Sequence, residues 1–237
     1  MMPENTVVFG SIDPMLVRGL LFDVDGTLVD TDDQMVERLA RFLQPAAFLF
    51  KGRDPNKFSR WFVMMAESPA NFLYQLSDRL GIDAHLAKIY SGISKRGRIE
   101  PDKKDDIRLI PGVLEMLTRL SQIYPMAVVS ARDARSTFRL LEKFNLKHFF
   151  QVVITSQTCT HTKPYPDPIL FAAEQLDLPP ESCVMIGDTI VDVIAGKAAG
   201  AQTASVLCGF GTIRELKRSG ADLVLSSTTD LAEILLG

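Results

Sequence analysis

The sequence predicts a doubly wound α/β fold, with a parallel sheet and an inserted α-helical unit, on three observations. Six short β-rich runs alternate with helical patterns of roughly ten to fifteen residues, the rhythm of repeated βαβ units. Each run is apolar almost throughout, as in strands covered on both faces. Between Asp32 and Arg108 the rhythm stops, and helical patterns follow one another without a convincing strand.

The strands are read, in order, from GLLFDV (19–24), PMAVVS (125–130), FFQVVIT (149–155), SCVMIG (182–187), QTASVL (202–207) and ADLVLS (221–226). The helix before the second strand is PGVLEMLTRLSQIY. Pro111 stands near its start, and Val113, Leu114, Leu117, Leu120 and Tyr124 fall on one stripe. Similar stripes run through DARSTFRLLEKF, DPILFAAEQLDL, IVDVIAGKAAG and the closing DLAEILL. The inserted unit has four helical patterns: DDQMVERLARFLQ, DPNKFSRWFVMMAES, PANFLYQLSDRLG and DAHLAKIYSGISKR. In the first, Met35, Val36, Leu39, Phe42 and Leu43 keep helical spacing, and Asp32 and Asp33 sit at the positive end of the helix dipole. Its flanks, DTDD and PDKKDD, are charged, as linkers would be. The expected division is a core of residues 1–31 and 108–237 with a helical cap of residues 32–107. The pattern favours a cap that moves over helices packed immovably on the sheet.

Composition narrows the function. The chain has 237 residues, 46% of them hydrophobic, enough for one large core or one core plus a smaller appended unit. A net charge of −3 gives no basic field for nucleic acid or an anionic membrane. The N-terminus MMPENTVVFG lacks a signal-like pattern, and no segment approaches the ~18 apolar residues of a membrane helix, so a cytoplasmic protein is expected. Cys159, Cys183 and Cys208 lack C-x-x-C spacing and are read as reduced structural thiols.

The chemistry is concentrated in LFDVDGTLVDTDD (21–33), which holds five aspartates. Asp23 and Asp25 lie just beyond the carboxyl end of a parallel strand, where open α/β sheets bind ligands. Gly26 lets the chain turn away. Two carboxylates so close repel unless a cation lies between them or one keeps a proton, and a divalent metal is the simplest remedy. A calcium loop is excluded: counted from Asp23, the glycine stands at position four and position twelve is Gln34. Asp30, Asp32 and Asp33 read as turn and helix caps. A second strand ends in Gly187–Asp188, with Asp192 four residues on, on the first turn of the next helix and facing Asp188. Such an oxygen-rich edge suits Mg²⁺ with phosphate oxygens. Ser130 closes another strand, where its hydroxyl and the following N–H groups suit a phosphoryl oxygen. Lys163 stands in the proline-stiffened loop HTKPYPDP.

These four elements, in this order, make the chain resemble the haloacid dehalogenase superfamily. Asp23-Val-Asp25-Gly-Thr-Leu-Val-Asp30 matches its DxDGTLxD motif, Ser130 its second motif, Lys163 its lysine before proline, and Gly187-Asp188-Thr-Ile-Val-Asp192 its GDxxxD motif. The resemblance is to the phosphoglycolate phosphatase and β-phosphoglucomutase branch, with a Rossmann-like core. It implies Asp23 as nucleophile and Asp25 as general acid and base. It implies Mg²⁺ held by Asp23, the backbone carbonyl of Asp25 and Asp188, with Asp192 as a ligand or as support behind one. Ser130 and Lys163 would hold the phosphoryl oxygens, with Ala131 and Arg132 beside the substrate. The implied activity is Mg²⁺-dependent hydrolysis of a small phosphorylated metabolite. A phosphomutase similar to β-phosphoglucomutase and a non-catalytic phosphate-binding or regulatory protein are the alternatives. Dehalogenation is disfavoured because that branch lacks an acid at the position of Asp25.

Ser130-Ala131-Arg132 departs from relatives that commonly carry Asn after the serine. Two readings of Arg132 stay open: it faces solvent or pairs with Asp133, or it binds an anionic part of the substrate. His161 either lines the pocket or is incidental, and Gly209-Phe-Gly-Thr212 opens a helix or is only a turn. In the cap, Lys51, Arg53, Lys95, Arg96 and Arg98 read as solvated charges, and Phe58, Trp61, Phe62 and Phe72 as cap core. Neither substrate nor oligomeric state is legible.

Overall fold

The computed structural model describes residues 7–30 and 107–237, and the expected cap, but for its last residue, falls outside them. The described residues form a seven-stranded sheet of β1 (Val7–Gly10), β2 (Gly19–Phe22), β5 (Met126–Val129), β6 (Val152–Ile154), β7 (Cys183–Gly187), β8 (Gln202–Val206) and β9 (Leu223–Leu225). Across the sheet the order is β1-β9-β8-β7-β2-β5-β6, and every pairing is parallel except that of β1 with β9. All six strands expected from the sequence are present. Two further short strands, β3 (Val29–Asp30) and β4 (Arg108–Leu109), pair antiparallel beside the sheet.

The described residues also hold three single-turn 3₁₀ helices and six α-helices: α1 (Val113–Leu120), α2 (Ala134–Lys143), α3 (Asp167–Gln175), α4 (Ile190–Ala199), α5 (Ile213–Ser219) and α6 (Leu231–Leu236). Side chains alternate across each strand, so both sheet faces are apolar. Leu20, Phe22, Met126, Val128, Val184 and Ile186 face one cluster with Leu117, Leu120, Leu141 and Leu231. Leu21, Ala127, Val129 and Met185 face the other with Ile169, Ala172, Ala173 and Ala195. Phe22 is fully buried, its ring edge-on to Phe150 with centroids 6.1 Å apart.

Three features differ from the sequence reading. α1 ends at Leu120 rather than Tyr124, and its buried stripe is Val113, Met116, Leu117 and Leu120. Leu114 is exposed because the helix presents Met116 to the core in its place. β1 went unread: its residues are all exposed, so it carries neither a buried run nor an alternation. It holds the sheet edge through β9, with Lys217 stacked over Phe9.

The connections place the site. From β2 the chain proceeds to β5 and β6 on one side, then crosses to β7 on the other. The sheet therefore reverses direction at β2, and ligands of such sheets bind beyond the strand ends at that point. No helix among the described residues is long and apolar enough to cross a membrane.

Candidate active site

Backbone pairing extends one residue past the strand ends and aligns the side chains there. Phe22 is in register with both Val128 and Ile186, and the next N–H, that of Asp23, still donates to the Ile186 carbonyl at 2.8 Å. Ser130 N donates likewise to Ile154 O at 2.9 Å. Asp188, Asp23 and Ser130 thus leave three adjacent strands at one edge, each at most 4% exposed. Beyond Asp23 the chain doubles back, with the Val24 carbonyl accepting from Leu28 N at 2.9 Å and Val29 N at 3.1 Å. Gly26 makes this possible with φ of +68°, and a Cβ there would stand 2.3 Å from Asp188 Oδ2.

Lys163, 3% exposed, reaches into the acids from the loop after β6. Its Nζ lies 2.8 Å from Asp23 Oδ1 and donates to Asp192 Oδ1 at 2.6 Å. Asp192 is the third residue of α4, and its other oxygen accepts from Thr189 N at 3.1 Å and Thr189 Oγ1 at 2.6 Å. This capping box fixes the carboxylate that fixes the lysine. Asp188 is fully buried, and its Oδ2 accepts from Phe210 N at 2.7 Å. Carboxylate oxygens of Asp23, Asp188 and Asp192 lie within 4.8 Å of one another.

Electrostatics follow from this crowding. Burial, aided by Asp192 and Asp25, outweighs Lys163 and raises the Asp23 carboxyl to about 7. Burial pulls the Lys163 ammonium down, but Asp192 and then Asp23 more than restore it, leaving it above its usual value. One buried lysine serves a cluster of three buried acids, a donor set of hard oxygens with negative charge in excess. Such a set fits a divalent cation.

The residues picked out by the sequence separate into those that meet at this edge and those that do not. Asp23, Ser130, Lys163, Asp188 and Asp192 converge on it, with Ala131 half-buried beside Ser130. Asp25 comes from the same turn, but its carboxylate contributes no oxygen to the three-acid cluster. Instead Arg132 clamps it, Nε donating to Oδ2 and Nη2 to Oδ1, both at 2.5 Å. This replaces the reading of Arg132 as facing solvent or pairing with Asp133. Asp133 instead caps α2, accepting from Ser136 N at 3.0 Å, and hydrogen bonding from Ser136 holds its carboxyl below the usual range. His161 pairs with Asp167 at 2.9 Å and stacks on Tyr165. The three cysteines are free, and burial pushes the Cys183 thiol up to about 11, as expected of an inert thiol.

The sequence reading missed the use of the Gly209–Gly211 turn. Phe210 supplies the N–H to Asp188, and a Cβ on Gly209 would stand 2.2 Å from Asp188 Oδ2. Two glycines around an aromatic, just before the Thr212 cap of α5, were the available signal.

Comparison with known proteins gives a consistent picture. A family model described as haloacid dehalogenase-like hydrolase matches residues 20–206. The chain is 31% identical over 228 residues to a phosphoglycolate phosphatase of Nitrosococcus oceani, covering 91% of this chain and 95% of that one. It is 30% identical over 224 residues to the pyrophosphatase PpaX of Bacillus cereus, covering 93% and 97%. Among solved structures, a hydrolase from Pseudomonas syringae superposes with a TM-score of 0.67 at 25% identity, covering 92% of this chain and 97% of that one.

Proposed function

This chain belongs to the haloacid dehalogenase-like hydrolases, and from that membership we propose that it is a Mg²⁺-dependent phosphatase that hydrolyses a small phosphorylated metabolite through an aspartyl phosphate. The observation that carries the reading is Asp23: a carboxylate at the end of β2, buried against Lys163 and clustered with two further acids. A strand spends such a costly placement where a nucleophile must be held rigidly.

Asp23 attacks phosphorus in line, forming the Asp23 Oδ–P bond as the bond from phosphorus to the leaving oxygen breaks. Asp25 gives its proton to that oxygen, then takes one from the water that cleaves the acyl phosphate and restores Asp23. Lys163 and the Ser130 hydroxyl hold phosphoryl oxygens where charge is redistributed in the transition state. Asp192, gripped by Thr189, keeps Lys163 aimed at Asp23. Asp23, Asp188 and the backbone carbonyl of Asp25 would hold Mg²⁺, which supplies Lewis-acid stabilisation of the phosphoryl oxygens when bound.

The test is phosphate release from p-nitrophenyl phosphate and a panel of small phosphorylated metabolites, with Mg²⁺ and with EDTA. Turnover is expected only with the metal, and Asp23→Asn is expected to lower kcat by at least ~10³-fold. Full activity in Asp23→Asn would sink the nucleophile assignment, and no release from any substrate would sink the phosphatase reading.

A further inference from the structure

The grip of Arg132 on Asp25 is unexplained by the mechanism above. The Arg132 backbone is pinned at both ends: its N–H donates to Ser130 Oγ at 3.1 Å, and its carbonyl accepts from Ser156 N at 2.9 Å. The Arg132 fork engages both oxygens of Asp25, and the two side chains are 27% and 12% exposed. While the fork is in place it holds both Asp25 oxygens toward Arg132, so Asp25 cannot turn to a leaving group without breaking at least one of these bonds. A bidentate arginine–carboxylate pair is among the stronger hydrogen-bonded contacts, and the guanidinium cannot shed its charge. A substitute anion in reach of a side chain only two residues from Ser130 would lower the cost of opening the pair.

We propose that Arg132 is a specificity-determining residue, and that the preferred substrates are phosphate compounds carrying a second negative group beside the transferred phosphoryl. That group, a carboxylate or another phosphate, takes over the guanidinium and so frees Asp25. A substrate without it separates the pair with no second anion of its own to offer. This rests on the phosphatase reading and on the assignment of Asp25 within it. Discrimination comes from an exchange of partners rather than from added contacts alone.

The test compares two anionic probes, phosphoglycolate and inorganic pyrophosphate, with ethyl phosphate, which has the two-carbon skeleton of phosphoglycolate with a methyl in place of its carboxylate. Wild-type protein with Mg²⁺ is expected to prefer at least one anionic probe by ~100-fold in kcat/KM, the range of a charged bidentate contact. Arg132→Gln is expected to act in opposite directions, lowering kcat/KM for that probe by a similar factor and raising kcat for ethyl phosphate several-fold. Arg132→Lys, which keeps the charge without the fork, should recover part of the preference. A merely structural role would lower all substrates together, and an unchanged ratio in Arg132→Gln, or a wild type with no preference, would overturn the proposal. Failure of the wild type to release phosphate from every probe would instead overturn the phosphatase reading beneath it.

Discussion

Stripped of divalent ions, an Asp23→Asn variant is expected to unfold at a higher temperature than the wild-type chain at pH 8, and at nearly the same temperature near pH 4. In the folded protein the Asp23 carboxyl is raised from 3.8 to about 7, chiefly by burial. Between those values the native state binds the extra proton, so stability from this group is fully present below about pH 4 and is lost as pH rises through about 7. Some three units at about 1.4 kcal/mol each amount to ~4 kcal/mol at pH 8, falling below ~2 kcal/mol by pH 5. Asparagine cannot ionise, so the variant should recover most of that difference, and Lys163 keeps Asp192 as a partner. For a domain of this size the gain corresponds to roughly 5–15 °C in Tm. The assay is thermal unfolding monitored by circular dichroism in EDTA from pH 4 to 8. A variant no more stable than wild type at pH 8, or a gain independent of pH, would refute the claim that burial of an ionised Asp23 strains the metal-free fold. Added Mg²⁺ should narrow the gap, because the ion binds the wild-type site more tightly.

Two further substitutions probe the frame around the acids. Gly26→Ala forces a Cβ to 2.3 Å from Asp188 Oδ2 at a φ of +68°. It should cost ~1–3 kcal/mol in denaturant unfolding and abolish most phosphatase activity, whereas normal stability and turnover would show that the turn relaxes. Asp192→Asn keeps an oxygen for the Thr189 cap but takes a charge from Lys163. Mg²⁺ affinity by isothermal titration should fall ~10–100-fold with little loss of helix content, and unchanged affinity would show that Asp192 supports only the cap.

The sequence was most legible where local pattern and position coincide. Asp23, Ser130 and Asp188 each terminate an apolar run, so the strand that could be read also placed the residue after it. Asp192 needed only helical spacing. Arg132 was different: its partner Asp25 is 107 residues away, and pairing through a long side chain leaves no trace in spacing. Phe210 contributes only a backbone N–H, which no side-chain pattern reports. The exposed β1 escaped because its strand character comes from pairing with β9 rather than from burial. On α1, the exchange of Leu114 for Met116 was invisible because both are apolar and only packing decides which turns inward.

The small ribbon of β3 and β4 has a consequence of its own. Val29 lies in register with Leu109 and Asp30 with Arg108, so the points where residues 31–106 depart and rejoin stand a single strand spacing apart, ~4.8 Å. Ile110 N also donates to Leu28 O at 3.1 Å, binding the two ends just inside the junction. The sheet and its acids are thereby closed upon themselves, whatever spans the gap. Closure cost grows only with the logarithm of loop length, ~0.6 kcal/mol per doubling, so the junction is a socket for segments of very different size. A longer or shorter segment between these two strands would therefore leave the register of the acid-bearing sheet edge unchanged.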